Sequence, residues 1–178
     1  VGVAFAYPEG KSGRERRMSA FIVETAGETF QREELHSKMG MYTANTGMIE
    51  MVDHPVPVEN LLGPEGNGFR IAMGTLVSGR LSVAAGCLGV IEDCLVESLA
   101  YAQTRSQHGK LIGKHQLVQE HLAEIEMARA ASDAMLDRAS AAKAASDRDP
   151  DHPELAAQAD YLVAQAKYFI TNAAWNAA

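Results

Sequence analysis

The spacing of apolar residues changes once along this 178-residue chain, and that change limits the folds open to it. Between Val1 and Leu62 the apolar residues come in short runs separated by Gly, Pro and charged residues, which is typical of β-strands. After Gly68 they recur every three or four residues over long stretches, which indicates helices. The sequence therefore predicts an α+β chain, in which a partial antiparallel β domain precedes long helices.

The first part of the chain predicts about four strands. They lie in the segments VGVAFAY, MSAFIVE, TFQREELHSKMG and TGMIEMVD. A sheet this small leaves open edges, so we expect further strands or another surface to complete it. Two prolines in the stretch 54–57 interrupt regular structure, and a turn-rich stretch follows at 60–68. We place the domain boundary here, giving residues 1–62 and residues 63–178.

Three helices are predicted in the second part. The first covers 69–105, the second about 114–146, and the third starts near Pro153, where proline suits the first helical turn. The middle of the first helix, LSVAAGCLGVI, is apolar or small on every side, so we expect neighbouring helices to approach it closely over Ala84, Ala85, Gly86 and Gly89. Three long antiparallel helices predict an incomplete four-helix bundle. We expect residues to be missing at both ends of the chain.

Composition excludes several classes of protein. The net charge of -7 and the lack of a basic cluster argue against nucleic-acid binding, which depends on Lys and Arg. The longest apolar stretch, Val1 to Tyr7, is far shorter than the roughly 20 residues of a membrane helix. Cys87 and Cys94 would lie roughly 10 Å apart along a helix, beyond disulfide reach. Without a secretory signal pattern, we expect a reducing, cytoplasmic setting.

Catalytic motifs are scarce. The sequence has no GxSxG, HExxH, CxxC or P-loop pattern, and no histidine pair suggests a metal site. The segment GPEGNGF could cradle a phosphate, but it lacks the required spacing and a domain hinge is the better interpretation.

One segment, residues 105–116, concentrates polar side chains between two apolar helices. The Arg105 fork suits phosphate oxygens, and the His108 ring suits stacking. The amides of Gln107 and Gln116 can bind a heterocycle or a diphosphate. A solvated connection between helices explains the same composition, so both interpretations stay open.

Four motifs in this order resemble the acyl-CoA dehydrogenases. They are KMG, PVPVENLLGPEGNGF, GRLSVAAG and YAQTRSQHGKLIGKHQLVQEHLAEI, and the resemblance covers nearly the whole chain. It implies an N-terminal helical domain, a middle β domain and a C-terminal four-helix bundle, assembled as tetramers with FAD near a subunit interface. This chain would contain the C-terminal part of the middle β domain and three of the four final helices.

The resemblance also implies site residues. Contacts to the FAD of a neighbouring subunit would come from Arg105, Gln107, His108, Ile112, His115 and Gln116, with His108 replacing the usual Phe. The acyl-CoA site would be lined by Val77, Ser78, Gly79 and Arg80. The family uses a Glu to remove the α-proton while hydride leaves for flavin. That Glu is expected beyond residue 178, and Gly79 holds the position of the alternative base, so no catalytic residue is assigned within the chain. No metal ligand is assigned either.

The implied partners are an acyl-CoA substrate, an electron-transfer flavoprotein and further copies of the chain, with a dimer of dimers expected. Two alternatives are an acyl-CoA oxidase, in which oxygen reaches the reduced flavin, and a truncated, non-catalytic helical assembly module.

Overall fold

The computed structural model describes residues 1–10 and 12–178, and it confirms the α+β class with three long helices. The elements are β1 (Gly2–Ala6), β2 (Ser19–Val23), β3 (Phe30–Glu34), β4 (Gly47–Met51), β5 (Leu61–Leu62), α1 (Gly68–Thr104), β6 (Ser106–Gln107), β7 (Lys110–Leu111), α2 (Gln116–Arg148) and α3 (Pro153–Ala177). The chain divides into two compact units, Val1–Met73 and Gly74–Ala178. We call them the β unit and the helical unit.

The β unit holds two small antiparallel sheets. One has the strand order β1-β2-β5, and the other pairs β3 with β4. The central strand β2 is the most buried, with Ala20 at 1% and Val23 at 5% exposure. The four predicted segments contain β1 to β4, whereas β5 was not predicted, since two residues show no alternation.

The turn that follows β5 is fixed against β2. The Gly68 amide donates to the Met18 carbonyl at 2.7 Å, and the Gly66 amide donates to Ser19 Oγ at 2.8 Å. Amides that already donate to protein oxygens are not free to bind a phosphate. This agrees with interpreting GPEGNGF as a hinge and not as a phosphate-binding loop. The turn belongs with the β unit, and the domain boundary after Leu62 stays a prediction.

The helical unit is built around a shared core. Helices α2 and α3 are joined by four residues, and the start of α2 shares a cleft with the end of α3, so the two run antiparallel. The core includes Ile91 from α1, Ala139 from α2, and Val163 and Ile170 from α3, all fully buried. No helix in residues 1–10 and 12–178 is long and apolar enough to cross a membrane.

Helix α1 is buried on one side only. Ala84, Leu88 and Ile91 line the core, but Val83 and Val90 are 50% and 44% exposed. A Cβ built on Gly86 or Gly89 meets no described atom within 4 Å. The close approach predicted over these glycines is therefore not made within the described part of this chain.

Candidate functional site

The end of α1 leads directly into a small β-hairpin. The Arg105 amide donates to the Tyr101 carbonyl at 2.9 Å, and the Arg105 carbonyl accepts from the Ile112 amide at 2.8 Å. Between them β6 and β7 pair in antiparallel register, and the turn is made by His108 and Gly109 with φ of 50° and 78°. Two residues at positive φ are what a tight type I′ hairpin requires. The sequence predicted only a break in the helices here, because two-residue strands carry no period and His rarely marks such a turn.

The hairpin brings several predicted cofactor residues together. The rings of His108 and His115 lie 6.3 Å apart in an edge-on arrangement, and His115 Nε2 lies 3.4 Å from the Gln107 carbonyl oxygen. Gln119 Nε2 donates to the Gly113 carbonyl at 2.9 Å, which ties the turn after the hairpin to the start of α2. Gln107, His108 and His115 therefore share one surface. We call residues 105–116 the hairpin patch.

The polar members of the hairpin patch face solvent. Arg105, Gln107, His108 and Gln116 are exposed, whereas Ile112 and His115 are half-buried. Among the described residues, the Arg105 guanidinium has no hydrogen bond or ion pair, so its donors are free for a ligand.

The hairpin patch is also positively charged. No Asp or Glu occurs between Glu97 and Glu120, although the chain as a whole carries a net charge of -7. Lys110 and Lys114 lie in the same patch, where Lys110 Nζ donates to the Lys114 carbonyl at 3.2 Å. These two lysines were not singled out from the sequence. The acid-free interval around them was the signal that could have identified them.

The predicted acyl-CoA residues lie elsewhere on α1. The Val77 side chain is 6% exposed and packs in the core of the helical unit, so it is directed away from solvent. Ser78, Gly79 and Arg80 are exposed, and Ser78 Oγ donates to the Gly74 carbonyl at 3.4 Å. Within the described part of the chain, Arg80 is therefore not a buried helix-packing charge, and its role stays a prediction.

The two predicted sites are far apart. Arg80 and Arg105 are separated by about 38 Å along α1, at about 1.5 Å per residue. A single small ligand does not span that distance easily. The predicted acyl-CoA residues and the hairpin patch are therefore two separate candidate sites. No group of three or more metal-ligating side chains occurs in the part of the chain that the structure describes.

Comparison with known proteins bears on what these sites do. Residues 66–178 match the family model for the acyl-CoA dehydrogenase C-terminal domain. A short-chain specific acyl-CoA dehydrogenase from Megasphaera elsdenii is 40% identical over 129 residues, covering 71% of this chain and 33% of that protein. This chain belongs to the acyl-CoA dehydrogenase family.

Solved structures of acyl-CoA dehydrogenases share its fold. Butyryl-CoA dehydrogenase from Megasphaera elsdenii matches with a TM-score of 0.79 and 29% identity, over 96% of this chain and 42% of that one. An acyl-CoA dehydrogenase from Bacillus anthracis complexed with FAD matches with a TM-score of 0.73 and 26% identity, over 97% of this chain and 28% of that one. The chain spans about a third of the length of the curated relatives it matches.

The Bacillus anthracis relative is complexed with FAD, and the hairpin patch has a donor set that fits part of this cofactor. A free guanidinium suits a diphosphate, exposed amides suit phosphate or base edges, and an imidazole at a turn suits stacking. The family resemblance predicted from the sequence motifs is thus confirmed, while the roles of individual residues stay predictions.

Proposed function

We propose that the protein containing this chain is a flavin-dependent acyl-CoA dehydrogenase that introduces a double bond between the α and β carbons of an acyl-CoA thioester. The observation that carries this proposal is the family match over residues 66–178, which includes the whole hairpin patch. Bound FAD would supply the two-electron acceptor for the hydride that leaves the β carbon. Residues 1–178 supply part of the cofactor surface and part of the substrate surface.

The hairpin patch would hold the diphosphate and adenosine part of FAD from a neighbouring subunit. Arg105 would neutralise diphosphate charge through paired N–H donors, and Gln107 and Gln116 would donate from their amides. His108 would lie against the adenosine part, and Ile112 and His115 would complete the surface. The free donors of Arg105 and the lack of nearby carboxylates support this assignment.

The acyl-CoA thioester would contact α1 near Ser78, Gly79 and Arg80, with Val77 supporting that turn from the core. Arg80 is an exposed cation, which suits an anionic ligand. Gly79 has no side chain to accept the α-proton, and the family resemblance implies a catalytic Glu beyond residue 178. We further propose that an electron-transfer flavoprotein accepts the electrons and that the protein is cytoplasmic. We also propose that the protein is a homo-oligomer, which its mass in solution tests.

The visible absorption spectrum of the whole protein tests this function. We expect bound flavin, and bleaching of its absorption when one member of an acyl-CoA panel is added without oxygen. A protein that binds FAD but stays oxidised with every thioester contradicts the dehydrogenase proposal. Rapid oxygen consumption without an acceptor protein would favour the oxidase alternative.

Substitution of Arg105 tests the cofactor surface. Because a hydrogen bond to a charged group contributes about 1.5–3 kcal/mol, Arg105→Ala in the whole protein should weaken FAD retention roughly tenfold or more. The matched control is Arg138→Ala, since Arg138 is an exposed arginine of α2 outside the hairpin patch. Equal flavin content in the two variants after dialysis would refute the role of Arg105.

A further inference from the structure

Two histidines of the hairpin patch lie side by side in a region without carboxylates. His108 is held at the tip of the hairpin by its positive φ, and His115 precedes α2 without making a side-chain cap. Their rings are 6.3 Å apart, and both residues belong to the hairpin patch, as Arg105 does. Neither ring has a carboxylate partner among the described residues, unlike His121 and His152, which each lie within 3.6 Å of one.

The two histidines belong to a segment, the hairpin patch, whose charged residues are all cations. These cations are Arg105 after α1, Lys110 in β7 and Lys114 in the turn before α2. The nearest carboxylates along the chain are Glu97 and Glu120. An anion bound to this patch would favour the charged form of an imidazole that it contacts.

We propose that His108 and His115 form a proton-dependent diphosphate contact, which binds the FAD diphosphate more tightly when the two imidazoles are protonated. This inference rests on the proposed function and adds regulation of the same site by pH. A diphosphate diester remains anionic across the range in which histidine changes charge, between about pH 5 and pH 8. The added attraction is present at the acidic end of that range and is lost as the pH rises.

The same coupling requires proton uptake on binding. By linkage, if protonation strengthens FAD binding, then FAD binding strengthens protonation by the same factor. FAD added to the apoprotein near neutral pH should therefore take protons from the buffer. The amount of proton taken up is measurable by calorimetry in two buffers of different ionisation enthalpy, and it does not depend on turnover.

The test uses the whole protein without flavin and measures FAD binding by fluorescence quenching from pH 5.5 to pH 8. We expect the dissociation constant to be about tenfold higher at pH 8, because two charge contacts to the same diphosphate are lost there. His108→Asn combined with His115→Asn should flatten the profile, and Asn tolerates the positive φ at position 108. His121→Asn is the matched control and should leave the profile unchanged.

The outcomes separate this inference from the proposed function. FAD binding that is independent of pH, without proton uptake, overturns the inference and leaves the proposed function standing. A pH dependence that persists in the double variant also overturns it. No FAD binding at any pH overturns both. Circular dichroism of the double variant at each pH identifies any loss of binding that comes from unfolding.

Discussion

The β unit and the helical unit differ most in how much apolar surface they bury. Among the described residues, the buried hydrophobic set has two members in the β unit, Ala20 and Val23, and fourteen in the helical unit. On the sheet of β3 and β4, Met48 and Ile49 are each 58% exposed. Because buried apolar area is the main source of stability, the helical unit should respond strongly to core substitutions and the β unit weakly.

The largest expected effect is the loss of a core side chain from α3. Ile170 is fully buried, so Ile170→Ala should destabilise the chain by about 3 kcal/mol, through lost burial and the cavity left behind. Ile49→Ala removes the same atoms from an exposed position and should cost under about 0.5 kcal/mol. The free energy of unfolding from urea titration, followed by the helical circular dichroism signal, measures both. Similar losses of stability in the two variants would contradict the conclusion that the helical unit is the more sensitive of the two.

Gly68 gives the β unit a sensitive position despite its small core. A Cβ on Gly68 would lie 2.6 Å from the Ser19 carbonyl carbon, which is backbone and cannot move aside. Gly68→Ala should therefore destabilise the β unit by about 2 kcal/mol, as overpacking does. Amide hydrogen exchange of β2 measures this effect.

The control for that substitution is a glycine of α1 that faces open space. Gly86→Ala should stabilise the helix by about 0.5–1 kcal/mol, since alanine is the better helix former and the added Cβ meets nothing. If Gly86→Ala is instead as destabilising as Gly68→Ala, another helix covers this side of α1, as the sequence predicted.

These contrasts indicate what sequence reasoning reaches. Both bounds of the first two helices and the start of the third were predicted within about two residues, because each has a long apolar period and a turn-rich stretch beside it. The hairpin of the candidate site was missed, because it consists of two-residue strands and has His108 where Gly or Asn usually marks the turn. The motifs identified residues 105–116, but they did not show that His108 and His115 share a surface, which depends on the hairpin.

A smaller effect is expected where the core of the helical unit contains a polar atom. Ser132 of α2 is fully buried, and its Oγ has no hydrogen-bond partner among the residues that the structure describes. An unpaired buried hydroxyl carries a desolvation cost, so Ser132→Ala should raise the free energy of unfolding by about 1 kcal/mol. The control is Ser140→Ala at an exposed position of the same helix, which should change it little. A destabilised Ser132→Ala variant would show that this hydroxyl has a partner.

The smallest effect should come from the surface of the helical unit, where Glu126 accepts two hydrogen bonds from Arg129 at 2.7 and 2.8 Å. The hydrogen bond from Arg129 lowers the pKa of Glu126 below its ordinary value of 4.5. A carboxylate with a lowered pKa in the folded state stabilises the fold above its unfolded pKa, and the contribution is lost as the pH falls through the folded pKa. Glu126→Gln should therefore be slightly less stable than the parent at pH 7, and the difference should disappear at pH 3. Both side chains are partly exposed, so the effect is small and should shrink in high salt.

The control for this prediction is Glu120→Gln, which removes one charge at an exposed position of the same helix. An equal response of the two variants would show that the ion pair of Glu126 with Arg129 adds nothing to stability.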